Sequence, residues 1–193
     1  MNILNTSVFS LGCILTSLII SPNLYAKPDQ IYKPYKNTEI VENIQPRLYK
    51  LKSLNVNFSS RIQRPEYMTQ DSITELYKEK IEQSLKEKNM LADATTAQPI
   101  DIDLAITQKR IFAGESFGQK LTGNYAHSEL QYNSTITYQN SPLASYKSEK
   151  YIGIGDNGTF GKMFRDLSGK GKPEHEIKDV EAFAEKIVEQ LPK

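Results

Sequence analysis

Apolar and polar residues alternate with period two along three stretches between Gln98 and Gly155. Ile100, Ile102, Leu104 and Ile106 share one parity, and Asp101 and Asp103 fall on the other. Tyr125 to Gln139 brings Leu130, Tyr132, Ile136 and Tyr138 to one side, and Leu143 to Ile154 does the same with Ala144, Tyr146, Ile152 and Ile154. A strand with one buried and one wet face reads this way. Gln139-Asn140-Ser141-Pro142 has the composition of a turn. The pattern therefore predicts a central antiparallel meander. Lys109 to Asn124, with Gly114, Gly118 and Gly123, reads as a long hairpin or a bent continuation of the strands. Upstream, Leu48 to Ile62 alternates again, with Leu54, Val56 and Phe58 facing the core. Pro65 ends it, because proline cannot donate to a ladder.

Two stretches change to the helical period. In Thr69 to Met90, the residues Ile73, Leu76, Tyr77, Ile81 and Leu85 lie on one face, with Lys and Glu around the rest. Thr69 or Asp71 caps its start, and Asn89 marks its end. Val180 to Leu191 carries a second stripe, Val180, Phe183, Ala184, Ile187, Val188 and Leu191, extended back to Ile177. Asp179 is its expected N-cap and Pro192 its stop. Asp156 to Lys178 reads as a loop rich in glycine and lysine, with a short helical piece at Thr159 to Leu167. The order is strand, helix, strand, strand, strand, helix. That segregation predicts an α+β fold: an antiparallel or mixed sheet with two helices packed on one face. If the first strand runs parallel to a neighbour, the first helix is the crossover between them.

The N-terminus stands outside this pattern. Val8 to Ile20 is largely apolar, Ser21-Pro22-Asn23 breaks the run, and Leu24-Tyr25-Ala26 follows. This is the layout of a secretory signal peptide cleaved after Ala26. Residues 1–26 are then the signal, 27–47 an extended N-terminal arm, and 48–193 a single domain. The expectation is an exported protein of the periplasm or cell envelope. The chain's one cysteine, Cys13, sits in Ser10-Leu11-Gly12-Cys13, a loose relative of the lipobox that directs lipidation. Membrane association is expected only through a lipidated Cys13 or an uncleaved signal.

Charge narrows the partners. Twenty-four basic residues face 23 acidic ones, giving a net charge of +1. A dedicated nucleic-acid binder carries a basic excess, so no nucleic-acid partner is expected.

Several motifs have the letters of a site without its context. Gly153-Ile154-Gly155-Asp156-Asn157-Gly158 spells G-x-G-x-x-G, but a dinucleotide site needs a strand–turn–helix opening a βαβ unit. It reads as a turn, and no cofactor is expected. Gly114-Glu115-Ser116-Phe117-Gly118 spells the G-x-S-x-G of a nucleophile elbow, with Glu129 and His175 following as acid and base. The parallel α/β frame of that elbow is missing, so a serine hydrolase using Ser116 is only the alternative reading. Asp101 and Asp103 are too few for a calcium site and read as a solvated face. His127 and His175 are too few for zinc and read as surface residues. The loop before the last helix interleaves Phe160, Met163 and Phe164 with Lys162, Arg165, Lys170 and Lys172. Such a surface suits an acidic protein, an anionic glycan or a lipid headgroup. The competing reading packs the aromatics inward and leaves the lysines solvated.

The export signal, Leu54-Asn55-Val56-Asn57-Phe58, the long helix, Ile100-Asp101-Ile102-Asp103-Leu104, the paired strands and the closing helix together resemble small bacterial envelope proteins of the YajG-type lipoprotein class. The resemblance is architectural and implies an α/β sandwich with no catalytic residues to carry over. The expected function is non-enzymatic: binding another envelope component through Phe160, Lys162, Phe164, Arg165, Lys170 and Lys172. A small-ligand carrier using the tyrosine-rich sheet face is a further alternative.

Overall fold

A computed structural model describes residues 31–36, 44–115, 118, 120–148 and 158–192. Its five strands are β1 (Ile31–Lys36), β2 (Tyr49–Ser60), β3 (Ile100–Phe112), β4 (Tyr125–Tyr138) and β5 (Ser141–Ser148). The helices are α1 (Gln70–Glu87), α2 (Gly158–Ser168) and α3 (Pro173–Glu189). The strands form one mixed sheet in the order β1-β5-β4-β3-β2. β2 runs parallel to β3, with α1 in the connection, and the other pairings are antiparallel. The α+β class expected from the sequence is the class observed.

The expected meander is β3-β4-β5. Gln139 and Asn140 close its second hairpin with φ of 49° and 64°. Two consecutive positive-φ residues match the right-handed twist of the strands they join, and asparagine tolerates that conformation. Part of the N-terminal arm supplies a fifth strand: Ile31–Lys36 pairs with β5 at the sheet edge. Pro34 is acceptable there because an edge strand has one side free of ladder bonds.

Period and burial agree along α1. The Thr69 hydroxyl accepts a hydrogen bond from the amide of Ser72 and caps the helix, while Ile73, Tyr77, Ile81 and Leu85 are buried. These side chains join Val180, Phe183, Ala184, Ile187 and Val188 of α3 over one face of the sheet. The opposite face carries Asp101, Asp103 and Asn133 and is wet. Lys52 pairs with Asp101 at 3.0 Å, and Ser53 donates to Asp103 at 2.5 Å, which places both acids in the solvated surface lattice.

Of three further elements, two follow the sequence reading and the third differs from it. β3 runs on through Lys109 and Arg110 to Phe112, so the first four residues of Lys109 to Asn124 follow the expected alternative of a continued strand. α2 is the helical piece expected at Thr159 to Leu167, one residue longer at each end. α3 begins at Pro173, not Val180. Proline at the first helical position loses no hydrogen bond, and Nδ1 of His175 accepts from the amide of Lys172 at 2.9 Å. Asp179 is therefore inside the helix and fully buried, not its N-cap.

Candidate functional site

The apolar face of β3 changes character at its C-terminal end. Ile100, Ile102, Leu104 and Ile106 are followed, on the same parity, by Gln108 and Arg110, both buried. The sheet-facing side of α3 changes in step: Glu176 and Asp179 precede Val180, Phe183 and Ile187. Two polar ends thus meet across the interface, and a charged layer caps the apolar core.

The layer is continuously hydrogen bonded. Nε and Nη2 of Arg110 donate to the two carboxylate oxygens of Glu176 at 2.8 and 2.7 Å. Nη2 also donates to the carbonyl of Met68 at 2.7 Å, and the guanidinium lies 4.7 Å from the ring centre of Phe58. Tyr77 donates to Gln108 at 2.6 Å, and Gln108 donates to Ser128 at 3.0 Å. The Tyr125 hydroxyl contacts Ser128 at 3.0 Å and donates to Asp179. Burial lifts the carboxyls of Glu176 and Asp179 above their ordinary range; Arg110 pulls the first back down, and Tyr125 and Arg165 the second. The phenols of Tyr77 and Tyr125 are pushed well up, chiefly by burial.

α2 closes this layer with its polar side. Nε of Arg165 donates to the carbonyl of Ala126 at 2.8 Å, and its Nη2 stands 3.7 Å from Asp179. The Asp166 carboxylate accepts from the amide of Gly114 at 2.9 Å, just beyond the end of β3. Lys162 is buried as well. His127 of β4 lies in the same neighbourhood. Burial first, and then Lys162, Arg165 and Lys109, depress its pKa from 6.5 to about 4, with Asp166 opposing. His127 is therefore no ordinary surface residue, and His175 works as a helix-capping group.

The outward side of α2 is apolar. Phe164 is 64% exposed and Leu167 57% exposed. The six residues singled out from the sequence thus divide. Lys162 and Arg165 turn inward as structural charges. Phe164, Lys170 and Lys172 are exposed. Phe160 belongs to the first turn of α2, and its side chain lies outside the described residues. The competing reading, aromatics in and lysines out, fails for Phe164 and Lys162 and holds for Lys170 and Lys172. The inward groups meet a carbonyl, a carboxylate and a backbone amide, which need polar partners that Phe164 and Leu167 cannot supply.

The remaining sequence motifs contribute less. Ser116 and residues 153–157 lie outside the described residues. Glu129 pairs with Lys109 at 3.7 Å. Tyr132 and Tyr146 are core residues, so they do not line an open carrier site. An open groove of about 450 Å³ lies between the Ile44–Leu48 segment and Tyr138, lined also by Asp93, Thr95 and Gln98. Among the described residues, no group of three or more metal-ligating side chains converges, and no helix is long and apolar enough to cross a membrane.

Comparison of the chain with protein-family models, with curated proteins and with solved structures finds no match.

Proposed function

We propose that the protein is a non-enzymatic component of the bacterial periplasm or cell envelope that binds another envelope constituent through the outward side of α2. The observation that carries this reading is the inverted docking of that helix. Its charges are spent inside the fold, while Phe164 and Leu167 face solvent. Two large apolar side chains on one turn, with Lys170 and Lys172 following, form a surface whose exposure gains nothing for the isolated fold. The apolar run Val8 to Ile20 and the break before Ala26 support export. The charged layer under α2 is read as structural, since its groups are consumed by one another.

Capture from a cell-envelope extract tests this, comparing the protein with the double variant Phe164→Ser/Leu167→Ser. Charge reversal at Lys162 or Arg165 would be a poor probe, because both are buried. The reading requires a bound constituent that is lost from the double variant while its unfolding midpoint is unchanged. Equal recovery on both proteins contradicts it.

A further inference from the structure

We infer that the constituent met by α2 is an anionic lipid surface, with Phe164 and Leu167 entering the acyl boundary and Lys120, Lys170 and Lys172 lying at the headgroups. This rests on the reading of α2 as the contact surface, and it adds a route to the membrane that needs neither Cys13 nor an uncleaved signal.

Phe164 and Leu167 stand three residues apart and share one helix face. At 64% and 57% they are the most exposed large hydrophobic side chains among the described residues. Lys170 and Lys172, both exposed, follow at the C-terminal end of the same helix. A third exposed lysine, Lys120, is carried toward that end by the segment leading into β4. There Nδ2 of Asn124 donates to the carbonyl of Gly169 at 2.6 Å, and a Cβ on Gly169 would stand 3.4 Å from Thr122. Glu174 is the nearest exposed acid in sequence, so the lysines outnumber it.

The charge and the size of this patch both point to lipid. Lysines beside exposed aromatic and aliphatic side chains match an anionic headgroup layer over an apolar one. Two apolar side chains fall short of the roughly 800 Å² that each partner buries in a stable protein–protein interface. A bilayer needs no shaped counterpart, and a few insertions with a few lysines give reversible, salt-sensitive binding.

Flotation of the exported protein with vesicles tests the inference. The vesicles are either a phosphatidylglycerol–phosphatidylcholine mixture or phosphatidylcholine alone. The expected result is binding to the anionic vesicles at least ten-fold above the zwitterionic ones, weakened by salt. Phe164→Ser/Leu167→Ser and Lys120→Glu/Lys170→Glu/Lys172→Glu each reduce it at least ten-fold with unchanged unfolding midpoints. No binding by the unmodified protein, or equal binding by all three proteins, overturns the lipid assignment. If vesicle binding fails but the apolar double variant still loses its capture from envelope extract, the lipid assignment falls and the binding role of α2 stands. If capture is unaffected as well, both fall.

Discussion

Arg110 and Glu176 face each other across the sheet–helix interface through two hydrogen bonds, at 2.8 and 2.7 Å, with neither side chain more than 2% exposed. Removing one partner leaves an uncompensated charge in the interior. Arg110→Met alone, or Glu176→Leu alone, is expected to destabilise the protein by about 3–5 kcal/mol. The double replacement by apolar residues of similar size should cost much less than the sum of the two. Urea unfolding of the four proteins in a double-mutant cycle checks this. Additive losses would show that the pair is not coupled.

Stability at mildly acid pH should depend on His127. Its folded pKa is lowered from 6.5 to about 4, so the unfolded chain takes up the proton first as pH falls. The stability linked to this group is complete above about 6.5 and is lost as pH falls toward about 4. At 1.36 kcal/mol per pH unit, the full loss is about 3 kcal/mol. Glu176 and Asp179 act in the opposite sense. Their raised folded pKa values mean that the folded state holds protons the unfolded chain has released, so their contribution weakens as pH rises through those values. His127→Gln should therefore flatten the fall in unfolding free energy between pH 6.5 and 4. An unchanged slope would place the acid sensitivity elsewhere.

The join between α2 and α3 is held by a close backbone approach. A Cβ on Gly171 would lie 1.5 Å from the carbonyl oxygen of Tyr125, and backbone cannot yield as a flexible side chain does. Gly171→Ala is expected to cost about 1–3 kcal/mol or more, as overpacking does. It should also loosen α2. Amide exchange across Gly158–Ser168 should rise more than exchange in β3, whereas a uniform rise would mean that the join does not hold the helix.

The β4–β5 hairpin offers a gain. Asn140 has a φ of 64°, which costs an asparagine something and a glycine little. Asn140→Gly should leave stability unchanged or raise it by a few tenths of a kcal/mol, and Asn140→Val should lower it by about 1 kcal/mol or more. Thermal unfolding ranks the three proteins, and the reverse order would refute the turn assignment.

The sheet and α1 were legible because their side chains obey one period without interruption. Ile100 to Ile106 and Ile73 to Leu85 each keep apolar residues on one face. The charged layer was harder to see, although its parts follow the same periods. Gln108 and Arg110 continue the parity of Ile106, and Glu176 extends the helical stripe of Val180, Phe183 and Ile187 back toward Pro173. Two polar residues on an apolar parity, and an acid on an apolar stripe, were the available signals. That position 110 meets position 176 depends on chain packing over 66 residues, which no local period records. α2 inverted the usual rule because the groups it covers are the Ala126 carbonyl, the Gly114 amide and the Asp179 carboxylate.

Photo-crosslinking in living cells tests the account most directly. A photo-reactive side chain is placed at Phe164, on the outward side of α2, or at Asn133, on the wet face of the sheet; both positions are exposed. The account predicts a crosslinked species, identifiable by its added mass, from position 164 and none from position 133. Crosslinking from position 133 with none from position 164 would contradict it.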